Sequence, residues 1–116
     1  MKAQAISRNN RQSAQKMRLV VDLIRGRNVN DAYAILQYTK KKAATVVTKT
    51  LRSAVANARD KAEQAGEVVD VDELYVKEVF VDEGPYYKRW RAGAMGRPSR
   101  IQRPTAHVTV VVDRKE

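Results

Sequence analysis

Chemistry in this sequence is concentrated in GPYYKRWRAGAMGRPSRIQRP, residues 84–104, where six cations, no acid, all three prolines and three of the five glycines fall together. Lys88, Arg89, Arg91, Arg97, Arg100 and Arg103 suit a polyanion. Arginine outnumbers lysine, and its planar fork bonds a phosphate through two N–H groups and stacks on bases. Tyr86, Tyr87 and Trp90 set π-faces among those cations, the mixture that unpaired RNA bases stack against. A charge run is ordinarily a solvated loop. Interleaved aromatic residues and strand-like flanks argue against that here.

A second basic patch lies in the N-terminal half. Arg8, Arg11, Lys16, Arg18, Arg25 and Arg27 are offset from the apolar stripe around them, while Lys40, Lys41, Lys42, Lys49 and Arg52 gather at the start of a long helical pattern. Cations at a helix N-terminus oppose the macrodipole but make the end attractive to an anion. For any one of these residues solvation is the ordinary role; for the set, phosphate contact is. The balance of the whole chain agrees, with a net charge of +10, which points to nucleic acid or an anionic surface. The charge comes in blocks: residues 1–65 carry 14 Lys/Arg against 4 Asp/Glu, residues 66–83 carry 1 against 7, and residues 84–116 carry 8 against 2. Such alternation along a patterned chain implies one folded unit, residues 1–116, with a one-sided electrostatic face.

Catalysis finds little support. His107 is the lone histidine and sits opposite a row of valines, the place of a packed or surface side chain. Asp70, Asp72, Glu73, Asp82 and Glu83 alternate in the manner of solvated strand carboxylates, not of a metal cage. Phosphate-loop, zinc-helix and nucleophile-elbow motifs are missing. There is no cysteine, hence no disulfide frame or thiolate metal site. The N-terminal MKAQAISRNNRQ has no apolar signal core, and no apolar run approaches the ~20 residues that span a bilayer. The expectation is a soluble intracellular protein that is not an enzyme, with no cofactor, no metal and no membrane partner.

The elements that must position these residues follow from periodicity. Residues 2–10 read as a strand. Ser13 can cap a helix in which Met17, Val20, Val21 and Ile24 share a face and Gly26 is the stop. Asn30 is placed to cap a short second helix whose Ala32, Ile35 and Leu36 point inward. The third and longest helix carries Val47, Leu51, Ala54, Val55, Ala58 and Ala62 as an alanine-rich stripe that lets it approach a sheet closely, and Gly66 ends it. Residues 69–83 read as a strand in which Leu74 and Val76 fall out of phase with Val79 and Val81, so a bulge is expected near Lys77–Glu78. The last strand, 105–112, points Ala106, Val108, Val110 and Val112 to one side.

The order β-α-α-α-β-β gives an α+β fold, three helices packed on a small three-stranded antiparallel sheet, with a long protruding β-hairpin at about 84–104. If both flanking strands continued outward, the arm would reach about 30 Å. Gly93 and Gly96 would bracket its tip. Isolated two-stranded ribbons are marginal in water, so this one needs an outside partner.

Two blocks, KMRLVVDLIRG (Lys16 to Gly26) and VDEGPYYKRW with GRPSRI and TAHVTVVV after it, together with the order of elements between them, resemble the bacterial large-subunit ribosomal proteins of family 22 over nearly the whole chain. The resemblance implies a structural constituent of the cytoplasmic ribosome that binds large-subunit rRNA and aids assembly, touching other large-subunit ribosomal proteins. Its hairpin would line the nascent-peptide exit tunnel and face ribosomal protein family 4 at the constriction. Carried over, the rRNA contacts fall on Lys88, Arg89, Trp90, Arg91, Arg97 and Arg100, beside Arg103 and the N-terminal cations. The tunnel-lining tip falls on Arg91, Ala92, Gly93, Ala94 and Met95, against the passing peptide. Relatives usually carry Pro-Arg-Ala-Arg or Lys where this chain has Ala92 to Met95, and Ser-Pro-Arg where it has Ser13-Ala14-Gln15, so the apex is less charged and more flexible. The competing reading is an architectural DNA-binding protein using a basic β-arm, with Met95 as an apolar wedge. That rival usually needs a dimer, and no surplus apolar stripe suggests one; no homo-oligomer is expected.

Overall fold

The structure of the chain is a computed structural model that describes residues 2–114, the side chains of Ala94, Ser99 and Arg100 excepted. The elements run β1 (Lys2–Asn10), α1 (Ala14–Ile24), α2 (Val29–Tyr38), α3 (Lys42–Gln64), β2 (Leu74–Glu83), β3 (Tyr87–Ala92), β4 (Pro98–Arg103) and β5 (Ala106–Arg114). They form a three-stranded antiparallel sheet in the order β1-β5-β2 and a separate ribbon of β3 and β4.

The helices lie on one face of that sheet because all the apolar stripes converge there. Met17, Val20, Val21 and Ile24 from α1, Ala32 and Leu36 from α2, and Val47, Leu51, Ala54, Val55 and Ala58 from α3 are buried against Ala106, Val108, Val110 and Val112 of β5. Ile35 is only partly buried. Alanine on α3 lets its backbone ride close to β1, where Asn57 donates a hydrogen bond to the Gln4 carbonyl at 2.8 Å and Lys61 donates to that of Lys2.

A register shift between Val76 and Glu78 places the expected bulge at Lys77. The extra residue resets the alternation, so Leu74, Val76, Val79 and Val81 all point into the core. Two expectations shift. The strand starts at Leu74, not at residue 69, because the Asp70 carboxylate accepts from the Asp72 N–H and closes a 3-10 turn over Val71–Glu73. The second helix starts at Val29 with Asn28 in the capping position, and Asn30 instead donates from its amide to the Asp72 carboxylate. The neighbourhood decides this: Asn28 bridges to Tyr75 and the Val76 N–H donates to the Arg27 carbonyl, so the chain is still extended there.

Both edges of the sheet are blunted by side chains. On β2, Arg18 donates to the Val81 carbonyl at 3.0 Å and Arg25 to the Val79 carbonyl at 2.8 Å; on β1, Asn57 and Lys61 do the same. Open edge carbonyls template pairing with other chains, and here cations and amides occupy two of them on each edge.

The molecule measures 66 × 28 × 17 Å, with a radius of gyration of 17.6 Å. A compact chain of this length would give about 13 Å. The excess comes from the β3–β4 ribbon, which stands away from the core.

Candidate nucleic-acid interface

The ribbon is framed by its ladder, with one side-chain bond inside it, from the Arg89 guanidinium to the Lys88 carbonyl at 2.9 Å. Tyr87 pairs with Arg103, Arg89 with Ile101 and Ala92 with Pro98, yet every residue of β3 is exposed. Alternation puts Tyr87, Arg89 and Arg91 on one side and Lys88 and Trp90 on the other. The Arg89 guanidinium lies 5.6 Å from the Tyr87 ring centroid, so cation and π-face already stack in the free protein. Trp90 is 68% exposed, an indole turned largely to solvent. At the apex Gly93 donates to the Arg97 carbonyl and Gly96 to that of Gly93, with Met95 and Gly96 both at positive φ. Met95 is wholly exposed. The glycines bracket the tip as expected. Ala94 and Arg100 hold their places in the backbone, but their side chains lie outside the described residues.

The strands do not run through from the sheet, as the 30 Å estimate assumed. Pairing stops after Glu83 and resumes at Tyr87, and between these a latch sets the direction of the arm. The Gly84 N–H donates to the Thr105 carbonyl at 2.9 Å, and the buried Thr105 hydroxyl donates to the Pro85 carbonyl at 2.6 Å. A Cβ at Gly84 would stand 2.5 Å from that hydroxyl and 3.2 Å from the His107 ring. His107 is a packing and latching residue: its Nδ1 accepts from the Asn9 N–H at 3.0 Å, which ties the end of β1 to the root. Asn10 adds a donor bond to the Ala106 carbonyl at 3.2 Å.

Above this root the two basic patches meet. Arg11 and Lys16 from the turn into α1, Lys42 from the first turn of α3, and Arg89 and Arg103 from the arm line one cleft of about 700 Å³ with Gln12, Ser13, Tyr87 and Pro104. Among the described residues no carboxylate lines it. The local cause is the cap: Ser13 Oγ accepts from the Lys16 N–H at 3.3 Å, starting α1 so that its first turn faces the arm. Concave basic walls raise the local potential and favour a phosphodiester strand over a single ion.

A second groove runs between α2 and α3, lined by Lys41, Lys49 and Arg52 with Thr39, Thr45 and Thr48. Tyr33 and Gln37 join Thr48 and Arg52 next to it. Burial pushes the Tyr33 phenol up, with Arg52 and Arg59 pulling the other way, so the hydroxyl stays a neutral donor. The remaining sequence candidates are distributed. Arg8 and Lys40 are exposed outside both concavities, as are Lys88, Arg91 and Arg97 along the arm. Arg18 and Arg25 are engaged with β2 carbonyls, and Arg25 also pairs with Asp22; a guanidinium has five N–H donors, so neither is used up.

Sequence reading missed the Gly84–Thr105 latch and the part of Gln12 in the cleft. The Gly-Pro pair after one strand and Pro-Thr before the next were the only local signals of a pinned root. Among the described residues, no group of three or more His, Asp or Glu could hold a metal ion, and no helix is long and apolar enough to cross a membrane.

Residues 5–113 match the family model described as ribosomal protein L22p/L17e. The chain is 51% identical over 116 residues to the large ribosomal subunit protein uL22 of Bifidobacterium longum strain DJO10A, covering 100% of this chain and 98% of the relative. It is 50% identical, with the same coverage, to the uL22 protein of Bifidobacterium animalis subsp. lactis strain AD011.

Proposed function

The chain belongs to the ribosomal protein L22p/L17e family, a family of the large ribosomal subunit, and from that premise we propose that it is a structural rRNA-binding component whose arm is ordered by the RNA around it. The observation that carries this is the cleft at the arm root. Three segments far apart in sequence bring five cations to one concave surface without an acid among its lining residues. A folded chain gains nothing internally from such crowding; a phosphate backbone relieves it.

In this reading the cleft and the α2–α3 groove hold rRNA backbone, and Trp90 and Tyr87 offer stacking faces to unpaired bases. The uncharged stretch from Ala92 to Met95 lies where phosphate contact ends, and it lines the peptide exit tunnel near ribosomal protein family 4, against the nascent chain. The protein works in cytoplasmic ribosomes as scaffold and assembly factor, not as an enzyme. Membership of a ribosomal family removes the ground for a DNA-bending arm.

Salt titration of binding to large-subunit rRNA fragments tests the proposal. The logarithm of the affinity should fall with the logarithm of salt by ~0.7–0.9 per phosphate contact. Replacing Lys16, Lys42 and Arg103 with glutamine should flatten that slope by about two to three. An affinity indifferent to salt, or a slope unchanged in the triple variant, contradicts the cleft as the RNA grip.

A further inference from the structure

The helices cover one face of the sheet, and the other face is open. Across it Ile6, Thr109 and Phe80 stand side by side on β1, β5 and β2. Thr109 is buried between its neighbours, while Ile6 is 44% and Phe80 42% exposed. Two acids flank the ring on the same face: Glu78 is registered with Val111 and Asp82 with His107, both on the side of β5 that faces away from the helices. Neither makes an ion pair or a side-chain hydrogen bond among the described residues. Other acids nearby have work inside the fold. Asp70 closes a turn, Asp72 accepts from Asn30, Glu73 stands 3.6 Å from Arg114, and Asp113 is met by Lys77 at 3.4 Å.

We propose that this open face, along Ile6, Thr109 and Phe80 and beside Glu78 and Asp82, docks a lysine- and arginine-rich segment of a neighbouring protein of the large subunit. The inference rests on the ribosomal reading above. Three observations choose the occupant. Lys2 and Arg8 share this face on the β1 side, and Lys77 is held by Asp113. On the β2 side, however, the unpaired carboxylates flanking the exposed ring repel a phosphate backbone and attract a basic chain, so in a particle made largely of RNA that side suits protein. Strand addition is hindered, because two carbonyls on each edge are already bonded by Arg18, Arg25, Asn57 and Lys61. A second copy is disfavoured by self-repulsion at a net charge of +10. An aliphatic or aromatic anchor on the partner would sit on Phe80 and Ile6, with its cations at Glu78 and Asp82.

Photo-crosslinking in assembled large subunits tests this, with p-benzoylphenylalanine replacing Phe80 in one full-length chain and Trp90 in another. The first swap exchanges one exposed aromatic ring for another and leaves the core untouched. Position 80 should crosslink to a protein segment with an excess of lysine and arginine. Adding Glu78→Lys and Asp82→Lys should cut that yield by about fivefold, the loss expected of two exposed ion pairs. Crosslinks from position 80 to rRNA, to a second copy or to a segment without excess positive charge overturn the proposal; so does no crosslink, or a yield indifferent to the charge reversals. Position 90 reports separately on the function proposed above. If it crosslinks to rRNA while position 80 fails, only the docking face is wrong; a chain that never enters subunits sinks both.

Discussion

The body and the arm are built from one chain under opposite rules. In the body, apolar side chains from three helices and three strands meet, and residues such as Met17, Leu51 and Val110 are fully buried. In the arm, every residue of β3 is exposed, and what holds it among the described residues is backbone pairing with a few contacts of Arg89. The body carries its own stability; the arm carries charge and rings in positions that only a partner can stabilise. The difference teaches that the boundary between them matters as much as either part. At Gly84, Thr105 and His107 the stable region fixes where the unstable one points.

The comparison breaks first where the core is cut. Leu51→Ala should cost the protein about 2–5 kcal/mol, the range for an aliphatic residue deleted from a packed interior, read as a lowered urea midpoint; a small loss would mean the core is looser than its burial implies. Next comes the boundary. Gly84→Ala should cost about 1–3 kcal/mol, because the new methyl meets the Thr105 hydroxyl and an overpacked site must shift. It should also weaken rRNA binding by changing the set of the arm, whereas unchanged stability and affinity together would dismiss the latch. Ser13→Ala removes the cap that starts α1 beside the cleft and should cost about 1 kcal/mol by thermal or urea unfolding. The smallest effect on stability belongs to the arm: Trp90→Ala should fall within about 0.5 kcal/mol. The same change should weaken rRNA binding by about 1–3 kcal/mol if a base stacks there. A Trp90 variant that unfolds readily yet binds RNA normally would invert the comparison.

How much of this could be read from residues alone follows the same boundary. Periodicity carried the body. The valine and alanine spacing of α3 and β5 needs a core face, and the phase slip between Val76 and Val79 announces the bulge at Lys77. Asn28 and Asn30 are equally good caps in isolation, and the bridge from Asn28 to Tyr75, a tertiary contact, chooses between them. The arm was legible as chemistry, since its cations and rings are contiguous. Its cleft was not, because Arg11, Lys42 and Arg103 lie in different thirds of the chain and only the fold joins them. Nor was the open sheet face legible: Ile6 and Phe80 look unremarkable until the register sets Thr109 between them.

The central claim, that the body is stable by itself and the arm is not, is tested most directly by amide hydrogen exchange on the protein alone and bound to large-subunit rRNA. The account predicts that in the free protein the amides of β1, β5 and α3 exchange slowly while those of residues 87–103 exchange nearly as fast as in an unfolded chain, and that rRNA slows the latter selectively. Arm amides as protected as those of β5 in the free protein, or unchanged by rRNA, would contradict it.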